Sequence, residues 1–111
     1  MILITGSTGF IGKHIVRELS KEYKLRCIIR KKKQEPIANI ELFYGDILNK
    51  SLLEKAFIGI DTVIHTAALT EGKTKKILKT NIEGTKNIIE LSIKYKIKRF
   101  IFISSDNTLL K

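Results

Sequence analysis

Two hydrophobic periods take turns along this chain. Met1–Thr5, Leu25–Arg30, Ile40–Tyr44 and Arg99–Ser104 are short and mostly apolar, and Asp61–Thr66 is short with Val63 and Ile64 at its centre. Runs of that length, several rich in Ile, Val and Phe, predict strands, and the continuous ones predict strands buried on both faces. Between them the apolar spacing lengthens to that of a helix. Ile11, Ile15 and Leu19 form one stripe, with Val16 and Tyr23 beside it, which predicts a helix from Phe10 to about Glu22. Asn49 is placed to cap a helix burying Leu52, Leu53, Ala56 and Phe57, and Gly59 to end it. A long helix is expected from Thr74 to about Tyr95, and Arg30–Ala38, with the only proline, Pro36, reads as a charged loop.

Strands that alternate with helices form a parallel sheet covered on both faces. Right-handed crossovers then give an α/β, doubly wound sheet of the Rossmann type, with five strands in the order 3-2-1-4-5. The expectation is a single domain over residues 1–111 that stops shortly after its fifth strand, with no repeat, linker or substrate domain.

Composition narrows the setting. No apolar run approaches the ~20 residues of a membrane span. Met1 opens the first strand, so no signal peptide is expected. Cys27 is the only cysteine and lies in an apolar run, which fits a small buried hydrophobe in a reducing, cytoplasmic setting and excludes a disulfide within the chain. The net charge of +10 comes mostly from scattered lysines of a solvated surface. Only Arg30-Lys31-Lys32-Lys33 clusters at a meaningful place, and no aromatic platform accompanies it, so no nucleic-acid partner is expected.

The candidate chemistry begins at Thr5-Gly6-Ser7-Thr8-Gly9-Phe10-Ile11-Gly12, directly after the first apolar run. A strand, a glycine-rich turn and a helix start, in that order, hold a dinucleotide pyrophosphate. Gly6 permits the turn, Gly9 close approach of backbone to phosphate, and Gly12 tight packing of the helix on the sheet. The helix N-terminus adds free N–H groups and partial positive charge. At the end of the second strand, where an acid would bind the ribose hydroxyls of NAD, stands Arg30, followed by Lys31. A guanidinium there suits a 2′-phosphate, so NADP(H) is expected over NAD(H). Asp46 follows the third strand and can accept from an adenine amino group. His65 ends the fourth strand, Ala67 and Ala68 are small where the chain passes the cofactor, and Gly84 inside a helix implies a close contact.

Five motifs in register resemble the N-terminal half of the extended short-chain dehydrogenase/reductase superfamily, the NAD(P)-dependent epimerase/dehydratase/reductase group. They are Thr5–Gly12; Gly45-Asp46-Ile47 followed by Ser51-Leu52; Gly59–Ala68; Asn81-Ile82-Glu83-Gly84-Thr85-Lys86-Asn87; and Lys98–Ser105. Within that group the run looks most like relatives of dihydroflavonol reductases and 3β-hydroxysteroid dehydrogenases. The resemblance implies cofactor contacts from Gly6, Thr8, Gly9, Phe10, Ile11, Gly12, Arg30, Asp46, Ile47, Thr66, Ala67, Ala68 and Asn81. It implies a structural rather than catalytic His65, and Ser105 as the group that orients the reacting oxygen, with Ser104 the neighbouring candidate and Asp106 where dehydratase-type members carry an acid. It also implies a Tyr-x-x-x-Lys pair to move the proton. That pair is missing: Tyr23, Tyr44 and Tyr95 are followed four residues on by Cys27, Leu48 and Arg99. The chain therefore reads as the cofactor-binding half of a hydride-transferring reductase, epimerase or dehydratase. Self-association or a separately encoded C-terminal half would complete it. A catalytically silent NADP-binding sensor or scaffold is the alternative.

Overall fold

A computed structural model describes residues 1–7, 9–30, 39–67 and 75–104. Its elements are β1 (Ile2–Thr5), α1 (Phe10–Leu19), β2 (Leu25–Ile29), β3 (Ile40–Tyr44), α2 (Lys50–Ala56), β4 (Thr62–Ala67), α3 (Lys75–Lys94) and β5 (Arg99–Ser104). The five strands form one parallel sheet in the order β3-β2-β1-β4-β5, the order expected from the pattern. Differences are confined to element ends. α1 stops at Leu19 rather than near Glu22, and β4 runs one residue further, to Ala67.

The strand pleat divides the apolar residues between two layers. On one face Leu3, Ile28 and Val63 meet Leu53 and Ala56 of α2, Phe57 just past its end, and Ile88 and Leu91 of α3. On the other, Ile4, Leu25, Cys27 and Ile64 meet Ile15, Val16 and Leu19 of α1. One α1 stripe against one sheet face is what the spacing of Ile11, Ile15 and Leu19 requires. Leu52 is only half-buried, while Leu53, Ala56 and Phe57 are buried as expected.

Two devices finish α2. Gly59 adopts φ +80°, the left-handed conformation favoured past a helix end. Arg26 of β2 reaches across to donate to the carbonyls of Ala56 and Ile58, both at 2.7 Å, and to Glu41 at 3.2 Å. A cation on the last carbonyls of a helix meets both their hydrogen-bonding and their dipole.

The two sheet edges differ. β3 mixes exposed and sheltered positions, with Glu41 and Tyr44 exposed and Ile40, Leu42 and Phe43 half-buried. β5 is apolar from Phe100 to Ile103, yet Phe100, Ile101 and Phe102 are 38, 45 and 43% exposed. Among the described residues no helix is long and apolar enough to cross a membrane.

Candidate functional site

The turn after β1 is built by compression. Gly6 has φ +70°, and a Cβ there would lie 1.9 Å from the Thr66 hydroxyl oxygen and 2.7 Å from its carbonyl oxygen. The Thr66 hydroxyl in turn donates to the Thr5 carbonyl at 2.9 Å, closing the end of β4 on the end of β1. A Cβ on Gly12 would lie 1.9 Å from the Gly6 carbonyl oxygen. The glycine thus packs the helix onto the turn itself rather than onto the sheet, as the motif alone suggested.

Gly9 is different. A Cβ there would meet only the Gly6 carbonyl oxygen, at 3.4 Å. The fold therefore does not need glycine at this position for its own packing. Gly9 is the N-cap of α1, extended at φ −75° and ψ 173°, and no side chain caps the helix. Its N–H donates to Gly6 at 3.1 Å, and its carbonyl accepts the first helical bond from Lys13 at 2.9 Å. Phe10, Ile11 and Gly12 carry first-turn N–H groups that a helix cannot satisfy from within. The first turn holds no acid. An open N-cap, a run of donors and the positive end of a ten-residue helix fit a phosphate group. Phe10 is 81% exposed with its ring edge-on to His14, and Ile11 is half-buried.

The other predicted residues lie at the carboxyl ends of neighbouring strands. Arg30 is exposed, one residue past β2. Asp46 is half-buried, two residues past β3, and one carboxylate oxygen accepts from the Leu48 N–H at 3.0 Å. The Asp46 carbonyl accepts from Asn49, whose side chain caps α2 by accepting from Leu52 at 3.2 Å. Ile47 is clamped from the other layer. Its carbonyl accepts from the Asn87 side chain at 2.9 Å, and a Cβ on Gly84 would come within 2.2 Å of its side chain. This is the close contact that a glycine inside α3 implied. Thr66 and Ala67 end β4, where Ala67 pairs with Ser104 of β5. Asn81 is half-buried in α3. Parallel pairing brings these strand ends to one sheet edge, where α/β sheets bind ligands. Thr8, the basic residues Lys31–Lys33, Ala68, Ser105 and Asp106 lie outside the described residues.

His65 is 2% exposed. Its Nδ1 bonds the Thr5 hydroxyl, its Nε2 bonds the Thr85 hydroxyl at 2.8 Å, and its ring stacks on Phe102 at 5.6 Å. Burial pushes its pKa down to about 4, so it is neutral at pH 7. With both ring nitrogens engaged, His65 ties β1 to α3 and is not a free base. Thr85 was legible only as a letter within the Asn81–Asn87 motif.

One polar residue inside the motif was given no role by it. Ser7 is buried directly behind the turn, and its hydroxyl makes no well-formed hydrogen bond. Beside it lies the Cys27 thiol, 2% exposed and pushed up to about 11 by burial, with the serine hydroxyl partly offsetting that shift.

The model of the NAD dependent epimerase/dehydratase family matches residues 2–109. A dTDP-D-glucose 4,6-dehydratase from Dictyostelium discoideum is 37% identical over 95% of this chain and 29% of its own length. A 3-beta-hydroxysteroid dehydrogenase from Mycolicibacterium neoaurum is 29% identical over 98% of this chain and 33% of its own. The fold is similar to that of the Bordetella bronchiseptica enzyme WbmG in complex with NAD, with TM-score 0.76 and 24% identity over 91% of this chain and 36% of that one. The chain spans about a third of the length of the proteins it matches.

Proposed function

We propose that this chain, which belongs to the NAD dependent epimerase/dehydratase family, is the dinucleotide-binding part of an enzyme that moves a hydride at a carbinol carbon of a sugar nucleotide or other hydroxy/keto compound. The observation that carries the reading is the open, uncapped start of α1 at Gly9, the one glycine of the turn that the protein's own packing leaves clear.

The cofactor supplies the hydride acceptor and donor. The chain's residues hold it. The turn and first helical residues, Gly6, Thr8, Gly9, Phe10, Ile11 and Gly12, surround the pyrophosphate, with the first-turn N–H groups of Phe10, Ile11 and Gly12 as donors. Asp46 has one oxygen committed to Leu48, and its second takes the adenine amino group. Ile47, clamped against α3, lines that side. Arg30 stands where the adenosine ribose ends, so a 2′-phosphate is favoured and NADP(H) binds better than NAD(H). Thr66, Ala67 and Ala68 carry the backbone past the cofactor, and Asn81 braces that strand end. Ser105 orients the reacting oxygen. The proton donor comes from polypeptide beyond these residues, because no Tyr-x-x-x-Lys occurs among them. A lone buried thiol suits a reducing, cytoplasmic setting.

Titration calorimetry with NADP(H) and NAD(H) tests the reading. Binding of NADP(H) over NAD(H), with the order reversed in Arg30→Asp, is expected. The change in preference should be about 2–3 kcal/mol, from loss of a charge-assisted contact and gain of repulsion. Absence of binding by a folded chain would refute the dinucleotide site. Tighter binding of NAD(H) would refute the role of Arg30 alone.

A further inference from the structure

The turn between β3 and α2 carries Asp46, and two of its hydrogen bonds share one amide. The Ile47 carbonyl and the Leu48 N–H belong to a single peptide unit, which is planar and stiff. At one end of that unit the Leu48 N–H donates to an Asp46 carboxylate oxygen at 3.0 Å. At the other end the Ile47 carbonyl accepts from the Asn87 side-chain amide at 2.9 Å. A rotation of this one plane therefore disturbs both bonds together. Hydrogen bonds linked through an amide in this way also polarise and strengthen one another.

Other bonds of the turn are made closer by. The Gly45 N–H donates to the Ile29 carbonyl at the end of β2 at 3.0 Å, and the Asn49 N–H to the Asp46 carbonyl at 2.9 Å. Asn87 instead reaches in from α3. Gly84 stands one helical turn before it on the same face and leaves room for the Ile47 side chain, which a Cβ would approach to 2.2 Å. α3 thus grips residue 47 at two points, its side chain and its carbonyl. The helix is itself fixed, with Ile88 and Leu91 fully buried in the core. Asn87 closes the Asn81–Asn87 motif, yet no cofactor contact falls to it.

A carboxylate recognises an amino group only when it is aimed. With one oxygen of Asp46 held by Leu48, the direction of the other is set. A carboxylate left to rotate would lose that freedom on binding, at a cost in affinity. We infer that Asn87 is a positioning residue for adenine: through the Ile47–Leu48 peptide it holds the Asp46 carboxylate in the orientation that takes the adenine amino group. The inference rests on the role given to Asp46 in the proposed function and deepens it. Selectivity for adenine, over a base with oxygen in place of the amino group, is then set from α3 by a side chain that does not touch the cofactor.

Titration calorimetry with NADP(H) and with its deaminated form, in which hypoxanthine replaces adenine, tests this. The unaltered chain should prefer NADP(H) roughly tenfold, the worth of one hydrogen bond to a charged group. Asn87→Leu should erase most of that preference, lowering affinity for NADP(H) while leaving that for the deaminated form within twofold. Asp46→Asn should erase or reverse it, and adding Asn87→Leu to Asp46→Asn should change the ratio no further, since the two act in series. Asn49→Ala removes the α2 cap of the same turn but keeps the Asn49 N–H, and should keep the ratio. Should Asn87→Leu fail to fold, Asn87→Asp keeps the shape without the donor, and its added charge weakens both dinucleotides and cancels in the ratio. An Asn87 variant that keeps the preference, whatever its stability or overall affinity, limits Asn87 to holding the fold and overturns the proposal while the cofactor reading stands. An unaltered chain that binds both forms alike overturns the adenine contact of Asp46, and this proposal with it.

Discussion

α1 and α2 begin in opposite ways. α2 is closed by its own chain: Asn49 accepts from Leu52, and Asp46 accepts from Leu48 just before it. α1 begins on a glycine with no side-chain cap and no acid in its first turn. Both helices are short, and glycine in place of a capping side chain costs α1 roughly a few tenths of a kcal/mol. A protein selected only for stability would place Ser, Asp or Asn at residue 9, where a Cβ has room. The proposed phosphate site uses the open end of α1, and the closed end of α2 is given no such role in that proposal.

Four experiments bear on that contrast. The largest effect belongs to Gly12→Ala. Its Cβ would sit 1.9 Å from backbone at Gly6, which no side-chain rotation relieves. We expect about 3 kcal/mol or more of lost stability, in the range of strongly destabilising substitutions, measured by urea unfolding, together with loss of cofactor binding. A near-neutral result would mean that the turn is looser than described.

Acid is the next largest. The pKa of His65 is about 4 in the folded chain against 6.5 when exposed. Its contribution is fully present above pH 6.5 and is lost as pH falls towards 4, because the unfolded chain takes up the proton first. Each pH unit in that window should cost up to about 1.4 kcal/mol. The urea midpoint should fall between pH 7 and 4.5, and His65→Gln should flatten the slope. Since His65 holds Thr5 at the foot of the glycine turn, acid should loosen the start of α1 before that of α2.

Closing α1 should then separate binding from stability. Gly9→Asp supplies the missing cap, with an expected gain of roughly a few tenths of a kcal/mol in stability, while its carboxylate occupies the phosphate position. Calorimetry should show cofactor affinity falling more than tenfold. Retained affinity in a stabilised variant would remove the argument from the open helix end. The smallest effect is the converse. Asn49→Ala should cost about 1 kcal/mol of stability and leave cofactor affinity within twofold. A large loss of affinity would mean that the Asp46–Asn49 turn is part of the site rather than its support.

Almost all of the fold was legible in the sequence, for a physical reason. Buried parallel strands leave continuous apolar runs, and their alternation with 3.6-period stripes permits few topologies. The strand order, the Asn49 cap and the Gly59 terminus followed from local chemistry. The site was legible where the backbone itself is the ligand, since only glycine tolerates the turn at Gly6. It was not legible where a contact spans the layers. Nothing near Gly84 in sequence indicates that Ile47 is its neighbour, and nothing near His65 indicates that Thr5 and Thr85 hold its two nitrogens. Ser7 occupies a position that the glycine motif leaves free, so its burial gives no sequence signal. The partner of Gly12 was misjudged for a related reason. The motif names a tight contact without saying whether turn or sheet provides it.

The sole thiol sits one layer beneath the glycine turn, beside Ser7. A cysteine that is 2% exposed and titrates near 11 reacts with a soluble disulfide reagent only when the domain opens. The molecule thus carries a built-in clock for its own breathing. A cofactor bound across the turn should slow that clock in proportion to occupancy, through the linkage that lets any ligand of the closed form suppress opening. Labelling rates followed against nucleotide concentration would then give a binding curve without a substrate, a partner or turnover.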